Sequence, residues 1–165
     1  QRAQMDGTTG LMNKDTGNVN IQKALTDIPD GQLDAVLFVD LDNFKRVNDT
    51  MGHMEGDKML HQVAECMRTL FRQDDILTRF GGDEFIVYMR NAQSEEAMVR
   101  KATTLIESIN GIDLKDGSRM GCSIGATLTD GSESFGTVFE RIDAAVYLAK
   151  TAGKNCCRTL MRKAK

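Results

Sequence analysis

Two consecutive glycines, Gly81 and Gly82, separate two runs rich in aromatic and branched residues, residues 75–80 and 83–89. A glycine pair between two such runs predicts a β-hairpin, because both central positions of a two-residue type I′ turn require positive φ. The second run begins with two carboxylates, Asp83 and Glu84, which neither solvation nor packing of a strand explains. This stretch alone fits an exposed hairpin tip with solvated charges as well as it fits a site that uses both acids.

A second group of acids ends a run that predicts a buried strand. Residues 33–42 are nearly all apolar up to Val39, as in the central strands of a sheet, and they end in Asp40, Leu41 and Asp42. Alternation along a strand places Asp40 and Asp42 on one face and the Leu41 side chain on the other. A carboxylate at the end of a buried strand is costly unless it is paired or binds a metal. Exit of the chain into solvent is the competing explanation, and it suits Asp42 better than Asp40.

The order of the predicted elements indicates the fold class. Helices are expected over residues 16–27, 43–50, 57–72, 94–110 and 134–151, and strands over residues 33–42, 75–80, 83–89, 120–128 and 155–161. A polar connection, residues 111–118, precedes the fourth strand. This order predicts an α+β fold of the ferredoxin-like or palm type, with a mixed sheet of about five strands covered by helices. The hairpin at Gly81 and Gly82 would carry the active site.

Length and composition limit the possible partners. The 165 residues suit one domain, and we assign residues 6–165 to it and residues 1–5 to the end of a helix that continues upstream. A formal net charge of −3 argues against nucleic-acid binding and against direct contact with an acidic membrane. No apolar run approaches the ~18 residues of a membrane span. The four cysteines lack Cys-x-x-Cys spacing and lie in apolar contexts, which predicts buried thiols in a reducing compartment, the cytoplasm; the chain is expected to be a cytoplasmic part of a larger soluble or membrane-bound protein.

The two acidic groups are expected to meet. A hairpin normally packs beside the first strand of such a sheet, which would bring Asp40, the Leu41 carbonyl and Asp83 together, with Glu84 adjacent. Hard oxygen ligands favour Mg²⁺ or Mn²⁺ over zinc, and Mg²⁺ is usually shared with substrate phosphates. Two such ions can activate a hydroxyl and stabilise both the entering and the leaving oxygen at phosphorus.

A nucleotide would also need cations and a pocket for its base. Lys45 follows the acidic strand end, and Lys150 and Lys154, spaced i and i+4, would share a helix face that could reach phosphates. A solvated lysine face is the alternative. Asn48 and Asp57 supply the amide and the carboxylate that match a guanine edge, although caps of helices explain the same residue types.

Five ordered blocks resemble the GGDEF domain of the diguanylate cyclase family, over essentially the whole chain. Each block keeps the spacing of the family. They are Asp6…Thr9-Gly10-Leu11…Asn13, Asp40-Leu41-Asp42-Asn43-Phe44-Lys45…Asn48-Asp49, Gly52-His53…Gly56-Asp57, Gly81-Gly82-Asp83-Glu84-Phe85, and Tyr147…Ala149-Lys150…Gly153-Lys154-Asn155. The resemblance implies condensation of two GTP molecules into cyclic di-GMP and two pyrophosphates, across the interface of two such domains.

The resemblance also implies a role for each matching residue. Asp40, the Leu41 carbonyl and Asp83 would hold two Mg²⁺ or Mn²⁺ ions. Asp83 and Glu84 would take the catalytic roles. Within the substrate site, Asn48 and Asp57 would recognise guanine and the lysines would hold the triphosphate. Substrate binding is expected at Phe44, Lys45, Asn48, Asp57, Gly82, Lys150 and Lys154.

The family pattern also implies a regulatory site, and the chain departs from that pattern at three positions. Arg72 and Asp75 form an Arg-x-x-Asp pair at the position of the family's product-inhibition site, where they would bind cyclic di-GMP; an ion pair at a helix end is the alternative. Thr8 replaces the usual leucine, and Lys14 and Lys154 replace frequent arginines. At the two lysines the planar guanidinium, which can donate two parallel hydrogen bonds, is exchanged for an ammonium that acts as a point charge.

A module that senses GTP or cyclic di-GMP without turnover is the competing function. A pure dimerisation domain is a third possibility, but it leaves the acids unexplained.

Overall fold

The computed structural model describes residues 4–163 of the chain. Helices and strands occur in the predicted order, with α2 and α3 separated by a break at Gly52. The helices are α1 Lys14–Thr26, α2 Phe44–Met51, α3 His53–Leu70, α4 Glu95–Asn110 and α5 Phe135–Thr151. The strands are β1 Asp34–Asp42, β2 Ile76–Arg79, β3 Glu84–Met89, β4 Gly121–Thr129 and β5 Cys157–Thr159. Most of the predicted end of an upstream helix, residues 1–5, lies outside the described residues.

The strands form one five-stranded sheet in the order β2-β3-β1-β4-β5. β1 pairs antiparallel with both β3 and β4, and β5 joins β4 in parallel. This mixed sheet with covering helices confirms the predicted α+β class. β1 is the central strand, and eight of its nine residues are buried. The acids at its C-terminal end are therefore held by the most protected part of the molecule.

Alternation along β1 separates two apolar cores. Leu37, Val39 and Leu41 face the core that α2, α3 and α4 complete, whereas Val36 and Phe38 face the core of α1 and α5. Asp40 and Asp42 continue the second face, as predicted. Both acids consequently point toward α5, and Leu41 anchors the end of β1 from the opposite side.

Two helix boundaries differ from the prediction. The predicted helices over residues 43–50 and 57–72 leave residues 51–56 between them, but α3 begins at His53, so that only Gly52, with φ 91°, separates α2 from α3. α5 ends at Thr151, and Lys154 lies in the turn beyond it with φ 66°. Gly153 has φ 117°, and the N–H groups of Lys154 and Gly153 donate to the carbonyls of Ala149 and Lys150, which is the Schellman ending of a helix. The expectation that Lys150 and Lys154 share a helix face is therefore wrong.

Two further features concern the cysteines and the membrane. All four cysteines are free thiols; Cys122 is buried, and Cys66, Cys156 and Cys157 are half-buried. Among residues 4–163, no helix combines the length and the apolar character that crossing a bilayer demands.

Candidate active site at the end of the central strand

The hairpin places its acids beside the end of β1. Asp40 is directly opposite Glu84 in the antiparallel register of β1 and β3, and the Leu41 N–H donates to the Asp83 carbonyl at 3.0 Å. Because the N–H and C=O of one strand residue point to the same side, the Leu41 carbonyl is also directed toward the hairpin turn. The structure thus brings together the backbone of the residues that the sequence predicts to meet.

The glycine turn itself differs from the type I′ prediction. Phe80 N–H donates to the Glu84 carbonyl at 2.8 Å, which leaves a three-residue loop, residues 81–83. Neither Gly81 nor Gly82 has a left-handed φ. Gly81 provides space instead, because a Cβ there would lie 2.3 Å from Glu84 Oε1 and would displace the Glu84 carboxylate from its present position. The first glycine therefore makes room for a carboxylate of the site.

Arg79, which the sequence reasoning does not single out, holds this loop. Its Nη2 and Nε donate to the carbonyls of Gly82 and Gly81 at 2.8 and 3.2 Å, and its Nη1 contacts both oxygens of Asp6. Burial raises the pKa of Asp6, but the hydrogen bonds from Thr9 and the Arg79 charge outweigh it and keep that pKa below its usual value. The first segment and the turn are therefore tied together by one guanidinium.

Four carboxylates influence one another at this site. Burial raises the pKa of Asp40 to about 6; the Lys150 ammonium, 3.3 Å away, opposes the shift, and Asp83 and Glu84 add to it. Burial, Asp83 and Asp143 raise the pKa of Glu84. Asp143 is an exposed residue of α5 that the sequence reasoning misses. Asp143 and Lys150 are seven residues apart and therefore lie on one face of α5. This spacing is the sequence signal from which Asp143 could have been assigned to the site.

The cation ligands proposed from the sequence fit this arrangement. Among the described residues no group of three or more His, Cys, Asp or Glu side chains could hold a metal by itself. Two carboxylates and one carbonyl form an incomplete set, which suits Mg²⁺ that shares its coordination with substrate phosphates. Asp42 does not belong to the set: its oxygens accept from the Ser123 hydroxyl at 2.7 Å and from the Asn155 N–H at 2.9 Å.

Open backbone donors lie next to these acids. Asn43, the N-cap of α2, has φ 57° and makes no capping hydrogen bond through its side chain. The first N–H groups of α2, those of Phe44 and Lys45, are therefore available to an anion. Lys154 reaches this end of α2, with its Nζ 3.0 Å from Asn43 Oδ1. The Lys45 side chain is exposed and pairs with Asp49.

The two residues predicted to recognise guanine, Asn48 and Asp57, lie on the consecutive helices α2 and α3. Asn48 lies on α2 with its Oδ1 beside Gly56, where an added Cβ would approach it to 2.0 Å. Asp57 follows Gly56 directly and is exposed on α3. The absence of a side chain at Gly56 thus makes space for the Asn48 amide, beside the residue that precedes Asp57.

The predicted inhibitory pair occupies the far end of the hairpin. The exposed Arg72 donates from its Nη2 to the Arg90 carbonyl at 2.7 Å. Asp75 is buried, and its two oxygens accept the N–H groups of Arg72 and Arg90. The alternative, an ion pair between the Arg72 and Asp75 side chains, is absent among the described residues. A cavity of about 410 Å³ beside Arg72 also includes Arg100 and Lys101.

Comparison with known proteins identifies the family. The family model "Diguanylate cyclase, GGDEF domain" matches residues 3–156. The chain is 34% identical over 158 residues to diguanylate cyclase DgcP of Pseudomonas aeruginosa, covering 94% of this chain and 24% of that protein. It is 36% identical over 160 residues to the cyclic di-GMP phosphodiesterase NbdA of the same organism, covering 94% of this chain and 20% of that protein. The chain therefore corresponds to a quarter or less of the length of either relative.

Solved structures agree with this family. The GGDEF domain of PA1120 (TpbB or YfiN) from Pseudomonas aeruginosa has a TM-score of 0.86 at 32% identity, covering 94% of this chain and 93% of that chain. The GGDEF domain of DgcB from Caulobacter crescentus in complex with c-di-GMP has a TM-score of 0.89 at 24% identity, covering 96% of each chain, and supports the fold alone. With the matched family, the relatives and the geometry in agreement, the chain belongs to the GGDEF domain family of diguanylate cyclases.

Proposed function

We propose that this chain is the catalytic domain of a diguanylate cyclase, which condenses two GTP molecules into cyclic di-GMP and two pyrophosphates. The observation that carries the proposal is the convergence of Asp40, Asp83 and Glu84 beside Lys150, where β1 ends and the hairpin turns. Family membership makes GTP the expected substrate and a divalent ion the expected cofactor.

Asp40, Asp83 and the Leu41 carbonyl would hold the divalent ions, for which we propose two Mg²⁺ or Mn²⁺. Ions bound there would lower the pKa of the attacking 3′-hydroxyl and stabilise charge on the phosphoryl oxygens. The raised pKa of Asp40 supports this assignment, because buried carboxylates in mutual repulsion gain free energy when a cation joins them. Glu84 lies next to the pair and would support the same site.

The remaining residues would position GTP. The N–H groups of Phe44 and Lys45 at the start of α2 suit phosphate oxygens. Lys154 reaches that point from the turn beyond α5, and Lys150 of α5 lies beside Asp40. Asn48 and Asp57 would recognise the guanine edge. Gly82 is exposed, and a Cβ added there would have no atom within 4 Å, so its surroundings leave space for a ligand.

One domain would bind one nucleotide. In the reaction, the 3′-hydroxyl of one GTP would lose its proton, with Asp83 as the proposed acceptor, and its oxygen would bond to the α-phosphorus of the other GTP. The bond from that phosphorus to the β-bridging oxygen breaks, so that pyrophosphate leaves with the electron pair. A second such step in the opposite direction closes the ring of cyclic di-GMP. The attacking 3′-hydroxyl belongs to a second nucleotide. That nucleotide must be held in line with the α-phosphorus, because positioning and orienting two reactants supplies a large part of the rate. A homodimer with two facing hairpin turns would deliver it, whereas a monomer would bind GTP without turnover.

The decisive assay incubates the purified protein with GTP and Mg²⁺ and measures cyclic di-GMP and pyrophosphate. A fusion to a parallel dimeric coiled coil ensures that two domains can meet. Formation of one cyclic di-GMP and two pyrophosphates for every two GTP consumed supports the enzyme. GTP binding without product in the forced dimer would support the sensory alternative. The similarity to a protein named a cyclic di-GMP phosphodiesterase is the observation that favours this alternative.

Gly56→Ala should weaken GTP binding without unfolding the protein. The added Cβ would lie 2.0 Å from Asn48 Oδ1 and 3.2 Å from a Phe44 ring atom, so the flexible Asn48 side chain must move. Loss of one guanine hydrogen bond should raise the GTP dissociation constant about tenfold. Alanine gains helix propensity over glycine, so the free energy of unfolding should change by less than about 1 kcal/mol.

A double-mutant cycle tests whether Gly56 acts through Asn48. Titration calorimetry would compare Gly56→Ala, Asn48→Ala and the double variant, with thermal unfolding as the check on folding. If the Gly56→Ala effect is displacement of the Asn48 amide, the double variant should bind GTP no more weakly than Asn48→Ala alone. Fully additive losses would contradict the explanation.

Arg72→Ala should relieve product inhibition while turnover persists. Arg72 is exposed, lies far along the hairpin from Asp83, and lines a cavity with two other cations. Removing its charge-assisted contacts should raise the concentration of cyclic di-GMP for half-inhibition about tenfold. Initial rates with added cyclic di-GMP measure this, with Arg158→Ala, an exposed arginine on β5, as control. Unchanged inhibition would refute the role of Arg72.

Asp75 is a poor position for the same test. Its buried carboxylate caps the N–H groups of Arg72 and Arg90, so its replacement would leave two donors without a partner. Any loss of inhibition in Asp75→Ala would therefore combine a change of structure with a change of binding.

A further inference from the structure

A buried glutamate lies beside the predicted guanine-recognising residues, and none of the sequence predictions uses it. Glu55 is in the first turn of α3, where the helix dipole favours an acid, but it is only 7% exposed, whereas the neighbouring Met54 is 89% exposed. Burying a carboxylate is costly unless it accepts hydrogen bonds. Glu55 Oε2 accepts the Lys115 N–H at 3.0 Å, from a segment 60 residues further along the chain. The helix dipole alone therefore does not explain the burial of this side chain.

The partner segment, which we call the 112–120 loop, is closed by its own hydrogen bonds. The Met120 N–H donates to the Ile112 carbonyl at 3.2 Å, and the Leu114 N–H donates to the Ser118 carbonyl at 2.8 Å. Ile112 and Leu114 are buried, and they belong to the core that α2, α3 and α4 complete. The 112–120 loop is thus anchored to the core, so that it can hold another segment in place.

The 112–120 loop also contacts α2. Arg46 donates from its Nη1 to Asp116 Oδ2 at 3.1 Å and from its Nη2 to Ser118 Oγ at 3.2 Å. Both charged partners are exposed, so this ion pair holds the loop more weakly than the buried contact of Glu55 does. The 112–120 loop is therefore joined to two consecutive helices, by one side chain from each.

These two contacts lie next to the residues predicted to recognise guanine. Asn48 follows Arg46 by two positions on α2. Asp57 follows Glu55 by two positions on α3. Only Gly52 separates the two helices, and glycine restrains the backbone least of all residues. Contacts with other segments must therefore help to fix how α2 and α3 lie relative to each other.

We propose that Glu55 is a positioning residue for guanine recognition: it fastens α3 to the 112–120 loop and thereby fixes Asp57 relative to Asn48. The donors and acceptors of a guanine edge have fixed separations, so the protein groups that bind them must be held in place to within about 0.5 Å. Glu55 itself does not touch the nucleotide. This inference rests on the proposed function, which assigns GTP to the site and its guanine edge to these two residues.

Binding measurements on Glu55→Ala and Glu55→Gln test the role. Titration calorimetry with Mg²⁺ would compare GTP with ITP, whose base lacks the 2-amino group, and with inorganic triphosphate, which has no base. Glu55→Ala should bind GTP about three- to tenfold more weakly and should lose part of its preference for GTP over ITP, while its affinity for triphosphate is unchanged. Glu55→Gln keeps an acceptor oxygen for the Lys115 N–H and should bind each ligand within about twofold of the wild-type affinity.

Glu107→Ala, at an exposed position of α4, is the matched control. Thermal unfolding of all four proteins checks their folding. A purely structural role of Glu55 would lower the unfolding temperature and leave the ratio of the GTP and ITP affinities unchanged. That result, equal GTP affinity in Glu55→Ala and the wild-type chain, or a parallel loss for all three ligands would overturn the proposal.

The outcomes also separate this inference from the proposed function. If the wild-type chain prefers GTP to ITP but forms no cyclic di-GMP, the proposed reaction fails, and the affinities of the variants still decide the role of Glu55. If Glu55→Ala keeps the wild-type turnover and affinities, the enzyme stands and the role of Glu55 fails. A wild-type chain without a preference for GTP would contradict guanine recognition and, with it, the role of Glu55.

Discussion

Asp40→Asn should abolish synthesis of cyclic di-GMP while making the domain more stable. Asn keeps the size of the side chain but removes the charge that would bind the divalent ions, and such ions supply several kcal/mol of transition-state stabilisation. We therefore expect the rate of product formation to fall by roughly a thousandfold or more. Product formation by the forced dimer measures the first effect.

The gain in stability follows from the pKa of Asp40. Its pKa in the folded protein is about 6, against an ordinary value of 3.8, so the folded protein binds more protons than the unfolded chain between these values. The ionised Asp40 thus destabilises the fold fully above pH 6, and the penalty disappears as the pH falls below 4. Loss of the Lys150 contact reduces the benefit of Asn.

At pH 7.5, without divalent ions, Asp40→Asn should raise the free energy of unfolding by about 1–2 kcal/mol, or the midpoint temperature by about 3–6 °C. Thermal unfolding at pH 7.5 and pH 4 tests this, with Asp30→Asn, at an exposed position before β1, as control. An equal gain at both pH values, or none at pH 7.5, would disagree with the buried carboxylate cluster as its cause.

Gly125→Ala should have the largest effect on folding. An added Cβ at this central position of β4 would lie 2.3 Å from the Ile142 carbonyl oxygen, 2.4 Å from Val146 N and 2.9 Å from Ala145 C. These atoms belong to the backbone of α5, so no side-chain movement can relieve the contact. The helix must shift away from the sheet, at a cost of about 2–4 kcal/mol.

The same displacement should affect catalysis, because α5 carries Lys150 to Asp40 across 3.3 Å. We expect a large loss of turnover in the fraction that remains folded. Urea unfolding and product formation measure the two effects. Gly136→Ala is the matched control on α5 itself: its nearest neighbour would be 3.8 Å away, so it should be neutral or slightly stabilising. Similar unfolding midpoints for the two variants would contradict the backbone contact.

Local patterns were sufficient for the elements and for the acids. The apolar run of β1 and its terminal Asp40 indicated the buried strand with its alternating faces, since a period of two places successive side chains on opposite sides. The glycine pair correctly predicted a hairpin but not its turn type. Glycine is favoured where the backbone has a positive φ, and it is also favoured where a side chain would not fit. The sequence alone does not show which of these two reasons applies to the glycine pair.

The chain by itself determined the order of helices and strands, the acids at the end of β1 and in the hairpin, and the family. Only the tertiary structure decided how Arg79 holds the turn, how Gly56 admits Asn48, how Gly125 admits α5, and where Lys154 lies. Most of these contacts join segments that are distant in sequence. Their geometry depends on how closely two packed elements approach, which no local periodicity encodes, because close packing is a property of the surfaces that meet.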